Sequence, residues 1–441
     1  MEMSTEGSRD AIAVIGLDPQ LLHEAVRRGL RTVMVRDTAD HLRGTSLRIP
    51  PGVEEVVVED VTDVGDVWAG LSRHFGDRLR EDLRGIVTFD EFAVSTVAAL
   101  AALLKLPGTP LGRAVLMRDK HLQKQAVLAA GLTAARSRVV VPGSPLTDVP
   151  FPGPCVVKPL AGGGTTATEA ARSEEEYRAL LERLAPSATT PFVVEDLVDV
   201  EREWIVDGVV QNGTVVFSSV GSYAEPCLEY TTDTKPLTVY RADGTGEDER
   251  CEEARAFAGK ALHALGYDDG VFHLELLQDR ATGAFWFGEC AARVGGALIQ
   301  EGVMAKHGFS LARSAVEVAL GVPVSGADED TGRYVATTSL HLPRGTVMKV
   351  PDPQRFCAPE YVHEVRIAAR LGVTDTPAVR STVHWQGLCL VSADSAEDLE
   401  VHLEAVRSAF VEQSMVAPTF GTGRQVRAFM DGYEEMWRQQ L

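Results

Sequence analysis

Two short stretches in the middle of the chain carry the residues that decide its fold. Residues 270–275 read GVFHLE, and residues 288–296 read GECAARVGG. In an extended strand His273 and Glu275 share one face, and Glu289 ends the next apolar run. If the two strands pair, the two carboxylates converge. Because Mg²⁺ prefers one or two carboxylates together with phosphate oxygens, the pattern predicts a metal–nucleotide site.

Arg293 follows the second carboxylate by four positions. A planar guanidinium placed there would meet the negative charge that develops on a transferring phosphoryl group. Each residue also fits an ordinary structural role: Glu275 and Glu289 as solvated strand carboxylates, and His273 as a hydrogen-bonded histidine. The spacing alone leaves both interpretations open.

A second candidate site lies further upstream. Lys158 ends the apolar run 155–157 and is followed by Gly162, Gly163 and Gly164. An ammonium group next to unhindered backbone N–H groups suits a polyphosphate. The stretch is not the G-x-x-x-x-G-K-[ST] phosphate loop, so a mobile surface loop is the alternative interpretation.

The N-terminal part of the chain predicts a parallel α/β layer. The apolar run 11–15, a helical pattern that stops at Gly29 and the run 32–35 form a strand-helix-strand unit. Another strand, at 85–89, leads into a long Ala- and Leu-rich helix. Gly16 lacks the two further glycines of the dinucleotide fingerprint, which excludes a nicotinamide site here.

The rest of the chain mixes strands and helices. The pattern predicts one helix over 113–130, a proline-rich connection over 142–154 and a hairpin closed by Asn212 and Gly213. From about residue 329 the pattern changes to strands followed by a helix, which we interpret as a separate α+β tail domain.

The length and net charge of the chain limit the classes of partner that it is expected to have. The chain has 441 residues, which allows about three structural units, and a formal net charge of −20. Such a field repels a phosphate backbone or an anionic bilayer, so neither nucleic acid nor membrane is an expected partner. No apolar run reaches the roughly 20 residues that span a bilayer, and the N-terminal residues carry no secretory signal. A cytoplasmic protein with reduced cysteines is predicted.

Taken in order, these motifs resemble the ATP-grasp superfamily of carboxylate-amine ligases, and most of all its L-amino-acid ligases. The resemblance covers nearly the whole chain, although each motif alone is weak. Besides the two opening stretches, it rests on four segments: TFDE at 88–91, MRDK at 117–120, VVKP at 156–159 with its glycine loop, and VVEDL at 193–197 followed by Glu203 and Trp204.

The resemblance implies a fold and a set of roles. The expected architecture is a Rossmann-like α/β domain over 1–112, a central ATP-grasp domain over 113–328 with a flap subdomain over about 142–198, and a C-terminal α+β domain over 329–441. Arg293 and His273 would be catalytic, with His273 orienting a carboxylate or assisting deprotonation of the amine. Glu275 and Glu289 would bind Mg²⁺, which Mn²⁺ could replace. ATP would be held by Lys120, Lys158, Gly162, Gly163, Gly164, Glu195, Asp196, Leu197 and Glu203.

Two positions depart from the family pattern. The family usually has Asn two residues after the second metal carboxylate, and this chain has Ala291. The spacing from the hinge strand to the ribose position is one residue longer than usual. Glu201 therefore competes with Glu203 for the ribose hydroxyls.

The implied activity is an ATP- and Mg²⁺-dependent ligase that joins a carboxylate, expected to be an amino acid, to an amine through an acyl phosphate and releases ADP and phosphate. The alternatives are an enzyme of purine type that uses carboxyphosphate or formyl phosphate, and a nucleotide-binding homologue with little turnover. The expected partners are small molecules, and a homodimer is allowed.

The loop from Glu225 to Lys235 is the candidate substrate wall, because its mixed aromatic and charged character suits a zwitterion. Lys235 or Arg293 would pair with a carboxylate, and Glu229 or Asp233 with an ammonium group. An ordinary surface loop is the alternative interpretation. The sequence does not identify the two substrates.

Overall fold

The computed structural model describes residues 10–43, 49–141, 151–184, 191–231, 235–375, 382 and 384–418. These residues form four β-sheets with helices packed against them. Asp233 and most of the predicted proline-rich connection lie outside the described residues. Within those ranges, no helix combines the length and the apolar character that crossing a membrane requires.

The N-terminal sheet is parallel, as predicted, with strand order β3-β2-β1-β4. Its buried strands are apolar because helices cover the sheet. The strands are β1 (Ala11–Ile15), β2 (Arg31–Asp37), β3 (Glu54–Val58) and β4 (Leu83–Val87). The helices are α1 (Pro19–Arg27), α2 (Thr38–Arg43), α3 (Val64–Phe75), α4 (Leu79–Asp82) and α5 (Val94–Leu104).

The single helix predicted over 113–130 is wrong. Two helices occupy this region, α6 (Leu111–Leu116) and α7 (Lys120–Ala129). Asp119 separates them because its carboxylate accepts a hydrogen bond from the Leu122 N–H at 2.9 Å and so caps the second helix. The break places Lys120 in the first turn of α7.

A small antiparallel sheet follows, with strand order β5-β8-β6-β7. One face packs against α8 (Glu174–Leu184), and the other face carries Lys158 and Glu195. The four strands are β5 (Ser137–Val140), β6 (Cys155–Pro159), β7 (Glu169–Ala171) and β8 (Phe192–Asp196).

The largest sheet has eight strands in the order β13-β12-β9-β10-β11-β14-β18-β16. The predicted hairpin joins β9 to β10, and Asn212 and Gly213 have φ values of 51° and 71°, as a two-residue Asn-Gly turn requires. The strands are β9 (Val200–Gln211), β10 (Thr214–Tyr223), β11 (Thr238–Arg241), β12 (Gly270–Asp279), β13 (Phe285–Ala291), β14 (Tyr334–Leu340), β16 (Val362–Ile367) and β18 (Gly387–Ala393).

The remaining elements surround this sheet. A three-stranded sheet consists of β15 (Gly345–Lys349), β17 (Thr374–Asp375) and β19 (Met415–Ala417). The helices are α9 (Asp248–Leu265), α10 (Ile299–His307), α11 (Leu311–Ala319), α12 (Pro353–Phe356) and α13 (Ala396–Gln413), the last capped by Ser395 as predicted.

The tail shares a sheet with the central part of the chain. β14 pairs with β11 through Thr238 and Thr338, and β18 and β16 extend the sheet further. The expected tail domain therefore has no large sheet of its own. The boundary near residue 329 stays a prediction.

Candidate active site

The floor of the candidate site is one face of strands β9, β12 and β13. Side chains alternate between the two faces of a strand, and Glu203 and Asp207 of β9 lie on the same face as His273 and Glu275 of β12 and Glu289 of β13. His273 is in register with Asp207, and Glu275 with Glu289. The opposite face packs into the main apolar core against α9.

A β-bulge in β13 fixes the two candidate metal ligands. The register shifts between Glu275 and the next residue, so that Gly288 is the extra residue of the bulged strand. A Cβ atom at Gly288 would lie 2.9 Å from the backbone oxygen of Glu275. Lys124 Nζ donates to the Gly288 carbonyl at 2.6 Å and holds the bulge from behind. Glycine is therefore required for the two carboxylates to face each other.

Two lysines surround the Glu289 carboxylate. Lys120 Nζ lies 3.0 Å from Glu289 Oε2, and Lys158 Nζ lies 3.8 Å from it. Burial alone would raise the pKa of Glu289, but the two ammonium groups outweigh it and lower that pKa to about 2. Within the described ranges no three His, Cys, Asp or Glu side chains cluster as a ready metal site. Glu275 and Glu289 fit Mg²⁺ as two hard oxygen ligands whose shell a phosphate would complete.

Glu195 is the second anchor for cations. It lies on β8, which pairs with β6, the strand of Lys158. Lys158 Nζ is 3.1 Å from Glu195 Oε2, and the buried Lys124 Nζ is 3.4 Å from the same oxygen. Burial opposes the charge of Lys158, yet Glu195 and Glu289 together raise its pKa. Glu195 Oε1 is buried and has no hydrogen-bond partner among the described residues. It is therefore an acceptor that a ligand could satisfy.

The predicted hinge residues Asp196 and Leu197 follow directly. The Asp196 carboxylate accepts from Arg136 Nε at 2.6 Å, and its N–H donates to the Arg136 carbonyl at 3.0 Å. The Leu197 N–H donates to the Pro154 carbonyl at 2.9 Å. Since both amides are already bonded, we expect an adenine edge to use other backbone groups of this strand end.

The glycine loop contacts Lys120. Lys120 Nζ donates to the Gly162 carbonyl at 2.9 Å. Gly164 and Thr165 have φ values of 64° and 55°, and a positive φ is costly for a β-branched residue. Thr165 Oγ1 accepts from the N–H of Thr382 at 3.0 Å, which ties the loop to the tail.

Arg293 points toward the N-terminal part of the chain. Its Nε forms an ion pair with Glu91 Oε2, and its Nη1 donates to the Val294 carbonyl at 2.7 Å. Arg118 forms an ion pair with the other oxygen of Glu91. Burial lowers the pKa of Arg293. Burial and the neighbouring Arg293 charge lower the pKa of Arg118 to about 10.

His273 lies between two carboxylates. Its Nδ1 lies 2.7 Å from Asp207 Oδ1, and its Nε2 lies 3.5 Å from Glu275 Oε1. Burial alone would lower the pKa of His273, but Asp207 outweighs it and raises the pKa to about 9. Arg241 Nη1 pairs with the other Asp207 oxygen at 3.0 Å. Of the two roles predicted for His273, this geometry fits orientation of a carboxylate.

The two candidates for the ribose position differ in burial. Glu203 is buried and accepts from the Cys227 N–H at 2.7 Å. Burial and repulsion by Glu275 raise the pKa of Glu203 to about 8. Glu201 is exposed and accepts from Gln278 Nε2 at 2.9 Å. Only Glu203 lies among the site carboxylates, which favours it over Glu201.

Ala291 occupies the position where the family has Asn. It is buried and lies opposite His273 in the β12–β13 pair. A methyl group offers no oxygen, so this position contributes no metal ligand.

The candidate substrate loop is more than a surface loop. Tyr230 is buried in an apolar cluster with Cys227, while Lys235 Nζ pairs with Glu225 Oε1 at 2.8 Å. Lys235 therefore already has a carboxylate partner. Asp233 lies outside the described residues.

Several residues that shape the site received no role from the sequence. Asp207 orients His273, and Lys124 supports the bulge. Gln123 accepts from the Cys290 N–H at 2.9 Å and donates to its carbonyl at 2.8 Å. The one signal available was alternation, since Asp207 falls on the same strand face as Glu203. Contacts across strands have no such signature.

No protein-family model matches the sequence, and no curated protein sequence matches it. Solved structures do. An L-amino acid ligase from Bacillus licheniformis has a TM-score of 0.76 at 20% identity, over 94% of this chain and 100% of that one. A carboxyaminoimidazole ribonucleotide synthase from Aspergillus clavatus, complexed with ATP, has a TM-score of 0.67 at 14% identity, over 92% and 100%.

A phosphoribosylglycinamide synthetase from Anaerococcus prevotii has a TM-score of 0.65 at 14% identity, over 93% of this chain and 100% of that one. All three similarities run over nearly the whole length of both proteins, and each identity is too low to transfer an activity. The parallel sheet, the small sheet and the large antiparallel sheet together give this chain the ATP-grasp fold, which it shares with these solved structures.

Proposed function

We propose that the protein is an ATP- and Mg²⁺-dependent ligase that forms an amide bond between a carboxylate, in our proposal that of an amino acid, and an amine. One observation carries the proposal. The paired carboxylates Glu275 and Glu289 lie in register on adjacent strands, with Lys120 and Lys158 beside Glu289. Two carboxylates and two cations in contact suit a metal-bound polyphosphate better than either set alone.

The nucleotide would lie between the small sheet and the floor of the large sheet. Lys120 and Lys158 would neutralise its phosphates, with Gly162, Gly163 and Gly164 covering them. Glu195, Asp196 and Leu197 line the end of β8 for the adenine, and Glu203 would accept the ribose hydroxyls. Lys120 and Lys158 form ion pairs with Glu289 and Glu195. Nucleotide binding would therefore exchange internal ion pairs for phosphate contacts.

Mg²⁺ held by Glu275 and Glu289, or Mn²⁺ in its place, would supply charge neutralisation at the transferring phosphate. A substrate carboxylate oxygen attacks the γ-phosphorus, the bond to the β-phosphate oxygen breaks, and ADP leaves. Arg293 would stabilise the charge that develops on the transferring group. The amine nitrogen then attacks the acyl carbon of the acyl phosphate, phosphate leaves and the amine loses a proton.

His273 would act as an orienting cation in this scheme. Its Nδ1 is bonded to Asp207, and its Nε2 faces Glu275. The proton of the attacking amine therefore goes to another acceptor, such as water or the departing phosphate. The glycine loop would keep water away from the acyl phosphate, which otherwise hydrolyses.

The test is release of ADP and phosphate. The protein is incubated with ATP, Mg²⁺ and mixtures of amino acids, with hydroxylamine added in a parallel sample to trap an acyl phosphate as a hydroxamate. We expect ADP release that depends on a carboxylate substrate, and no release after chelation of the metal. AMP and pyrophosphate as products would refute the acyl-phosphate chemistry.

A second candidate function follows from the comparisons. Two of the similar structures are a phosphoribosylglycinamide synthetase and a carboxyaminoimidazole ribonucleotide synthase. An enzyme of that kind that uses carboxyphosphate would release ADP only with bicarbonate, and one that uses formyl phosphate only with formate. Ala291 motivates a third candidate, a nucleotide-binding protein with little turnover. A protein of that kind would bind ADP but would form no ADP from ATP with any carboxylate or amine.

A further inference from the structure

We propose that Glu91 is a positioning residue that holds Arg293 for phosphoryl transfer and links it, through Arg118, to the glycine loop. The inference rests on the proposed function and adds to it a residue from the N-terminal part of the chain. Glu91 was part of a motif in the sequence, but neither the motif nor the proposed mechanism gives it a role.

The first observation is a carboxylate shared by two arginines. Glu91 Oε1 pairs with Arg118 Nη1, and Glu91 Oε2 pairs with Arg293 Nε. The exposed fractions of the three side chains are 13%, 11% and 19%. Ion pairs shielded from water are screened far less than surface pairs. The Glu91 carboxylate is therefore the main restraint on the direction of both guanidinium groups.

Charge balance makes this restraint necessary. Arg293 is close enough to Arg118 to disfavour its charge, and burial disfavours the charges of both arginines. Without a carboxylate between them the two cations would repel each other and turn outward. The three side chains together carry one positive charge, which suits a substrate that becomes more negative during transfer.

The position of Glu91 is itself rigid. It opens a short 3₁₀ turn, Glu91–Ala93, that follows β4. Asp90 caps the turn by accepting from the Phe92 N–H at 2.8 Å. The carboxylate is thus fixed to the parallel sheet, whereas Arg293 lies in the loop after β13. Glu91 joins these two parts of the fold.

Arg118 extends the link to the phosphate-covering loop. It lies between α6 and α7, and its Nη2 donates to the Ala161 carbonyl, next to Gly162. One guanidinium therefore contacts both Glu91 and the loop. When the loop closes on a nucleotide, Arg118 can be held in place, and Glu91 then holds Arg293 in its transfer position. The arrangement couples loop closure to the orientation of the transfer arginine.

The first arm of the test measures turnover. Glu91→Gln removes the charge and keeps the size of the side chain. We expect kcat to fall by about 100-fold, since misplacement of a catalytic group by about 1 Å has this effect. KM for ATP should change by less than about threefold. Glu91→Asp keeps the charge and should recover part of kcat. An unchanged kcat in a folded Glu91→Gln protein would overturn the proposal.

The matched control is Glu54→Gln. Glu54 also bridges two basic side chains, Arg31 at 2.7 Å and His74 at 2.9 Å. It lies on β3, at the opposite edge of the parallel sheet from β4. We expect kcat of this variant within about twofold of the parent protein, because the surface pair contributes little beyond local stability. An equal loss of kcat in both variants would show that the Glu91 substitution lowers kcat through general destabilisation of the protein.

The second arm does not depend on turnover. Hydrogen exchange of a peptide that covers residues 160–168 is measured with and without Mg·ADP. We expect ADP to slow exchange in the parent protein. The slowing should be lost in Glu91→Gln and in Arg118→Leu, and the double variant should show no larger loss than either single variant. Additive losses would overturn the link. If the parent protein binds ADP and shows the loop protection but never forms ADP from ATP, the proposed function is refuted, and the link from Glu91 to the loop is still supported.

Discussion

His273 Nδ1 and Asp207 Oδ1 lie 2.7 Å apart in the floor of the site, in register on adjacent strands. The other Asp207 oxygen pairs with Arg241. Asp207 therefore neutralises two cations while it is itself fully buried. Asp207 is the carboxylate that contacts both His273 and Arg241.

We expect Asp207→Asn to destabilise the protein strongly. Removal of one partner from a buried ion pair costs about 3–5 kcal/mol, because the remaining charge is left unpaired. The loss is measured as the free energy of unfolding in urea. The control is Asp199→Asn, since Asp199 pairs with Arg280 at the surface at 3.2 Å; that change should cost less than about 1 kcal/mol. Equal losses in both variants would contradict the role of Asp207.

Arg293→Ala should separate binding from chemistry. In our proposal Arg293 acts on the charge of the transferring group, so its loss should lower kcat by about three orders of magnitude. The Kd for ADP, measured by calorimetry, should stay within about threefold, because Lys120 and Lys158 supply the phosphate contacts. Parallel losses of ADP affinity and kcat would show that Arg293 contributes to ground-state binding instead.

Gly288→Ala should damage the candidate metal site. The added Cβ would lie 2.9 Å from the Glu275 carbonyl oxygen, which is backbone and cannot turn away. We expect a loss of about 1–3 kcal/mol in unfolding free energy and a weaker dependence of ADP binding on Mg²⁺. Gly259→Ala in α9 is the control, because nothing lies within 4 Å of its added Cβ and alanine favours a helix. Mg²⁺ dependence that is the same in both variants would show that the bulge does not set the metal ligands.

Glu301 should make stability depend on pH. Burial outweighs the attraction of Arg366 and raises the pKa of Glu301 to about 7 in the folded protein, above the ordinary value. A raised carboxyl pKa contributes stability that is complete below the unfolded pKa and is lost as pH rises through the folded pKa. The neighbouring groups are Arg366, Glu364 and Asp18.

Thermal unfolding of the parent protein and of Glu301→Gln, followed from pH 5 to pH 8, measures this effect. We expect the parent protein to lose on the order of 2 kcal/mol more than the variant over this range. Glu364→Gln removes a partner of Arg366 and one repelling charge near Glu301; this comparison variant should keep most of the parent's slope, because burial is the larger cause of the raised pKa. Parallel pH profiles for the parent and Glu301→Gln would contradict the raised pKa.

Much of the fold was predictable because local signals agreed with it. The β1 run, the Asn212-Gly213 turn and the Ser395 cap all lie where the sequence indicates. The helix break at Asp119 was missed, although aspartate is a common cap, because the apolar pattern continues across it. The joining of the tail to the large sheet was missed because strand pairing between distant segments leaves no periodic signal.

Part of the candidate site was also predictable from the sequence, and part was not. Alternation along β12 indicated that His273 and Glu275 share a face, and the expected pairing of the two strands places Glu289 opposite Glu275. The partners of each charge were not predictable. Glu91 and Arg293 are separated by about two hundred positions in sequence, and only the folded chain brings them into contact.

The pairing of β11 with β14 has a consequence for truncation. A chain ending before β14 would leave the backbone donors and acceptors of β11 uncovered, since Val239 and its neighbours pair there with the tail. An exposed strand edge of this kind recruits other chains and promotes aggregation. The tail thus protects the site-bearing sheet from self-association. We expect a protein shortened in this way to aggregate.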